Sequence, residues 1–76
     1  MIFEIHSEYK KHLYDIASKV LNLKHYELLE DHSLDEKYIR VEVKPYQFLH
    51  FAKDIGYDMT IVTEKSTKSL WYFWVE

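Results

Sequence analysis

Cysteine is absent from the 76 residues, and glycine and proline occur once each. Without cysteine there are no disulfides and no thiolate metal ligands. A single glycine excludes the phosphate-cradling loops of nucleotide-binding motifs, which need several, and the G-x-S-x-G nucleophile elbow. So little Gly and Pro also excludes a collagen-like or low-complexity chain. No apolar run approaches the roughly 20 residues of a membrane span. The segment Met1-Ile2-Phe3-Glu4-Ile5-His6 has neither the basic start nor the apolar stretch of a signal peptide. Positive charge is not in excess either: 10 Lys and Arg stand against 13 Asp and Glu, a formal net charge of −3. Dedicated nucleic-acid binders usually carry a basic excess, because phosphate neutralisation supplies their affinity. The charges are interspersed, which leaves no polybasic membrane anchor. The cytoplasm is the expected location, with no membrane partner.

What the chain does have is apolar bulk: 47% of it is hydrophobic and 17% aromatic. This argues against disorder and for a single domain, residues 1–76, with one core. Domains of this size bury only about 60% of their unfolded surface, so the margin of stability is thin. No disulfide or thiolate zinc site supplements it here, and large aromatic side chains must provide the buried area.

Periodicity divides the chain into elements. Met1, Phe3 and Ile5 alternate with Ile2 and Glu4, which predicts a short first strand. Ser7 follows in the place of a helix N-cap, with Glu8 in the first turn. Tyr9, Leu13, Ile16, Ala17, Val20 and Leu21 then form one stripe of an amphipathic helix over about residues 8–21. In residues 24–36, Tyr26, Leu28 and Leu29 fit a strand or a helical turn equally well. Ile39, Val41 and Val43 alternate with Tyr38, Arg40, Glu42 and Lys44, the pattern of a strand with one buried face. Pro45 opens a second helix, about residues 45–55, carrying Phe48, Leu49, Ala52 and Ile55 and closing at Gly56. Met59 to Glu64 and Ser69 to Val75 flank a polar connection and predict a hairpin.

The order β-α-(β)-β-α-β-β predicts a two-layer α+β fold. Two helices pack on one face of a mostly antiparallel sheet of four or five strands, and the other face stays open. Leu70-Trp71-Tyr72-Phe73-Trp74-Val75 is apolar on both faces, whereas such a sheet needs only one. Pairing the hairpin symmetrically about Ser66-Thr67 sets Ile61 against Tyr72 and Val62 against Trp71. Tyr72 and Trp74 then belong to the core. Trp71, Phe73 and Val62 form an exposed patch beside Arg40 and Tyr38, and such patches usually mark interaction surfaces. A segment of the same chain or a second copy could equally cover it.

Catalytic and metal-ligating residues are not assigned. Ser7, Ser18, Ser33, Ser66 and Ser69 sit in no nucleophile motif. The carboxylate pairs Glu30-Asp31 and Asp35-Glu36 have no apolar surroundings to raise a pKa. Among the five histidines, His12 lies one helical turn from Glu8, and His25 and His32 flank Asp31 loosely. Solvated side chains account for both groups more readily than a metal does. No cofactor is expected.

From Tyr38 onward, about half of the chain resembles the TusA/SirA-like sulfur-carrier family. A strand runs into Pro45, a helix closes on Gly56-Tyr57, and a hairpin follows. The resemblance implies a β-α-β-α-β-β fold with two helices on one sheet face. The family's carrier chemistry rests on a Cys-Pro-x-Pro motif, and His6-Ser7-Glu8-Tyr9 stands at about that place. Persulfide relay therefore does not carry over, although docking to a partner could. A ferredoxin-like core with one extra strand fits almost as well. The expected function is a small non-catalytic, protein-binding adaptor or regulator, of a kind that phages and mobile elements carry. Its partner is another protein or a second copy of itself. The alternatives are a single-stranded nucleic-acid binder that stacks bases on the same face, which the charge disfavours, and a sulfur-relay partner without the carrier cysteine.

Overall fold

A computed structural model describes all 76 residues. The elements are β1 (Ile2–Ser7), α1 (Lys10–Leu23), β2 (Glu27–His32), β3 (Tyr38–Glu42), α2 (Phe48–Ile55), β4 (Met59–Ile61) and β5 (Leu70–Val75). One-turn 3-10 segments at Pro45–Gln47 and Thr63–Lys65 precede α2 and follow β4. The sheet order is β2-β3-β1-β5-β4. Every neighbouring pair is antiparallel except the central β1 and β5, which run parallel. The expected α+β architecture is therefore present, with the ambiguous 24–36 segment supplying the edge strand β2. No helix is long and apolar enough to cross a membrane.

Both helices cover one sheet face. Phe3 and Ile5 of β1, Ile39 and Val41 of β3, and Phe73 and Val75 of β5 point into the core. Leu13, Ile16, Ala17 and Val20 of α1 and Phe51 and Ile55 of α2 close it from above. The ends of the predicted α1 stripe are outside it: Leu21 is 60% exposed, and Tyr9 is also exposed. On α2 the buried ring is Phe51, while Leu49 is 78% exposed. The 3-10 turn after Pro45 delays the α-helix to Phe48 and sets which of its side chains face the sheet.

Ser7 is not the N-cap of α1. It is the last residue of β1, and its buried hydroxyl accepts a hydrogen bond from the Tyr9 N–H at 3.1 Å. Tyr9 holds the cap position, without a side-chain bond. α2 stops at Gly56, whose φ of 70° is the left-handed conformation that glycine tolerates best. The Lys19 ammonium reaches across from α1 and donates to the Ile55 carbonyl at 2.9 Å, meeting one of the helix's open acceptors. That ammonium also pairs with Asp15 at 3.1 Å and lies 5.4 Å from the Tyr57 ring centroid.

Candidate functional site

The face without helices is built by the alternate residues of the strands. Register sets Glu4 between Arg40 and Tyr72, and His6 between Tyr38 and Trp74. Glu30 and His32 of β2 continue these two rows. A third row runs from Glu27 through Glu42 and Ile2 to Leu70.

Rings pack along this face. His6 stacks on Tyr72 at 4.1 Å between centroids and on Tyr38 at 5.0 Å. Tyr38 in turn meets His32 at 4.9 Å. Two of the rings also hold cations: the Arg40 guanidinium lies 5.6 Å from the Tyr38 centroid, and Lys65 Nζ lies 4.9 Å from that of Tyr72.

Glu4 is the electrostatic centre. One carboxylate oxygen lies 2.8 Å from His6 Nε2, and the other accepts from Arg40 Nη2 at 3.3 Å. Arg40 Nη1 pairs with Glu30 at 3.1 Å, an ion pair without hydrogen-bond alignment. With Glu4 only 13% and His6 16% exposed, these bonds offset the cost of partly drying charged and polar groups. Loss of hydration, and then the charge of Glu36, push the Tyr38 phenol above its ordinary pKa.

Of the five residues that the sequence assigns to this surface, Arg40 and Tyr38 are on it. Trp71 and Phe73 are not, which corrects their assignment. Phe73 is 1% exposed in the core, 4.9 Å from Phe3 between ring centroids. Trp71 is half-buried on the helix side, stacked on Phe3 at 5.5 Å and edge-on to Phe48 at 5.8 Å. Tyr72 and Trp74 occupy the helix-free face instead.

The cause is a register shift of one residue: Ile61 lies opposite Phe73, not Tyr72. The 3-10 turn at Thr63–Lys65 takes up chain on one side only, so the connection is not symmetric about Ser66-Thr67. A shift of one exchanges the two faces of a strand. Val62 lies beyond β4, half-buried, and its N–H donates to the Tyr72 carbonyl at 2.8 Å. Ser66 locks the same connection. Its hydroxyl accepts from the Tyr72 N–H at 3.0 Å and donates to the Val62 carbonyl at 2.9 Å.

Sequence reasoning missed Glu4, His6, Tyr72 and Trp74 as members of this face. Glu4 and His6 alternate with the core residues Phe3 and Ile5, so the signal was present. Ending the first strand at Ile5 hid it for His6.

Elsewhere, Glu8 and His12 do not belong to a metal-binding group: no three His, Asp or Glu side chains converge as such a site requires. The His12 ring packs between Tyr9 and Tyr57, at 5.1 and 4.9 Å. A shallow depression of about 320 Å³ borders the helix-free face, lined by Glu8, Tyr9, Trp74, Val75 and Glu76. Comparison with protein-family models, with curated proteins and with solved structures gives no match.

Proposed function

We propose that the chain is a small, non-catalytic protein-binding adaptor or regulator working in the cytoplasm, with the helix-free sheet face as its contact surface. The observation that carries this reading is the distribution of rings. Both helices cover one side of the sheet, yet Tyr38, Tyr72, Trp74 and His6 line the other, where a two-layer fold needs no aromatic side chains. Tyr and Trp are favoured contact residues because they combine apolar area with a polar tip. The row is held in place before any partner arrives, by ring stacking and by the Glu4 bonds. Such preorganisation lowers the entropy cost of docking.

Base stacking by a single-stranded nucleic acid would use the same rings. Glu4, Glu30 and Glu42 stand among them, however, and would face the phosphates.

The test is to immobilise three proteins: the wild type, Trp74→Ala and Leu49→Ala, the last altered on an exposed helix position. Proteins retained by the wild type and by Leu49→Ala should be lost from Trp74→Ala, which should keep its amide spectrum. Equal retention by all three would sink the reading. Sedimentation of the purified chain shows directly whether the retained partner is a second copy.

A further inference from the structure

After β4 the chain leaves the sheet, makes the 3-10 turn at Thr63–Lys65 and returns as β5. Three residues of this connection close on a single residue of β5, Tyr72. The Val62 N–H donates to the Tyr72 carbonyl at 2.8 Å. The Ser66 hydroxyl accepts from the Tyr72 N–H at 3.0 Å. The Lys65 ammonium lies 4.9 Å from the centroid of the Tyr72 ring. Residues 62–66 thus engage the backbone donor, the backbone acceptor and the side chain of Tyr72 together. The other flank of Tyr72 belongs to β1, whose His6 stacks on the ring.

Little else fastens these residues. None from Gly56 to Ser69 is buried. β4 supplies three sheet pairs and ends at Ile61, itself 41% exposed. At the far end the Thr67 N–H donates to the Leu70 carbonyl at 2.7 Å and closes the turn into β5. Between these two anchors, the bonds from Lys65 N–H to the Val62 carbonyl and from Ser66 N–H to the Thr63 carbonyl shape the turn without tying it to the sheet. A stretch held by exposed hydrogen bonds and few buried contacts opens more readily than the core beneath it. Ser66 is its one side-chain fastening to the β5 backbone, and the same hydroxyl donates to the Val62 carbonyl at 2.9 Å.

We propose that residues 62–66 are a strap that opens as a unit while the sheet stays folded, with Ser66 as its clasp, and that its closure controls access to Tyr72. When the strap is closed, Lys65 holds the Tyr72 ring from the β4 side. When it is open, that side of the ring and the adjoining N–H and carbonyl of Tyr72 are free. The strap is therefore a competitor, supplied by the chain itself, for any group that approaches Tyr72 from this side.

Hydrogen exchange of the isotope-labelled full chain, read amide by amide, is the test. In the wild type the Val62 and Tyr72 amides should exchange together, about ten times faster than that of Phe73, which is buried and pairs with Ile5 of β1. Ser66→Ala should speed both by about a further tenfold and leave Phe73 unchanged. Ser66→Thr keeps the hydroxyl and should keep the wild-type rates. Photo-CIDNP, which polarises aromatic rings that a dye can reach, should give a stronger Tyr72 signal in Ser66→Ala than in the wild type. Equal protection of Val62, Tyr72 and Phe73 in the wild type overturns a separate opening, whether or not the variants fold. Acceleration of Phe73 as large as that of Tyr72 in Ser66→Ala overturns it too, since the strap would then open only with the whole domain. Unchanged Tyr72 exchange in Ser66→Ala, or a Ser66→Thr variant that exchanges like it, overturns the clasp. Equal polarisation of Tyr72 in the two proteins overturns the control of access. Every readout is taken on the chain alone, so none of these results bears on the docking reading.

Discussion

The imidazole of His6 lies nearly flat on the ring of Tyr72, with centroids 4.1 Å apart and planes 17° from parallel. β1 and β5 run in the same direction here, and the stack ties the two central strands together on the side that the helices do not reach. A double-mutant cycle between His6→Ala and Tyr72→Ala should give a coupling of about 0.5–1.5 kcal/mol in urea unfolding. Additive losses would show that the two rings are neighbours without being partners.

Leu13 and Leu21 occupy the same predicted stripe of α1, yet they differ completely in burial. Leu13→Ala should cost about 2–5 kcal/mol, because it opens a cavity beneath the helix. Leu21→Ala should stay within about 0.5 kcal/mol of the wild type. Denaturation midpoints of the two variants check this, and similar midpoints would mean that α1 is rotated about its axis.

The end of α2 is fixed by Gly56 and by the Lys19 ammonium. A Cβ at Gly56 would meet only Lys19 Nζ, at 3.7 Å, an ordinary contact. The expected loss for Gly56→Ala is therefore conformational alone, about 1 kcal/mol. Lys19→Met should lose about 1 kcal/mol or more, since it frees the Ile55 carbonyl as well as Asp15. Lys11→Met, on an exposed position, is the control. Thermal unfolding of the three variants separates these effects.

Tyr26 makes an alkaline prediction. Burial, followed by the hydrogen bond to Asp54 at 2.7 Å, raises its phenol to about 12 from the ordinary 10. Tyr57 is raised in the same direction, by burial and then by its bond to Asp15. A raised folded pKa means that the native state holds the proton more tightly than the unfolded chain does. The resulting stability is fully present below about pH 10 and is lost as pH rises toward about 12. Unfolding experiments across that window should show a steady decline, and Tyr26→Phe should make it shallower. An unchanged slope in the variant would exclude Tyr26 as a source.

The architecture was legible because alternation and helical spacing are local signals. Ile39, Val41 and Val43 revealed the buried face of β3, and Leu13, Ile16 and Val20 that of α1. The assignment of Tyr38 and Arg40 to the open face follows from the same alternation. What was not legible depends on distant parts of the chain. In β5 every residue from Leu70 to Val75 is apolar, so alternation could not decide which ones face the helices. The decision came from pairing with β1, which sets Trp71 beside Phe3 and Phe73 beside Ile5. The single 3-10 turn at Thr63–Lys65 then makes the connection asymmetric. As a result, Trp71→Ala should cost several kcal/mol through lost core packing, whereas Trp74→Ala should be tolerated.

The parallel pairing of β1 with β5 bears on how the domain is made. Ile2 is synthesised well before its neighbour Leu70, with α1, β2, β3 and α2 all lying between them in the chain. Until β5 emerges, β1 has one side of its backbone unpaired, and Phe3 and Ile5 lack the ring of Phe73. α1 and the β2–β3 hairpin can form earlier, but they enclose a core that is still open. Closure of the sheet is thus a late step that joins distant parts of the chain, and the loop it closes is nearly the whole sequence. The nascent chain carries an unprotected strand edge throughout that interval, which is when it is most prone to pair with the wrong neighbour.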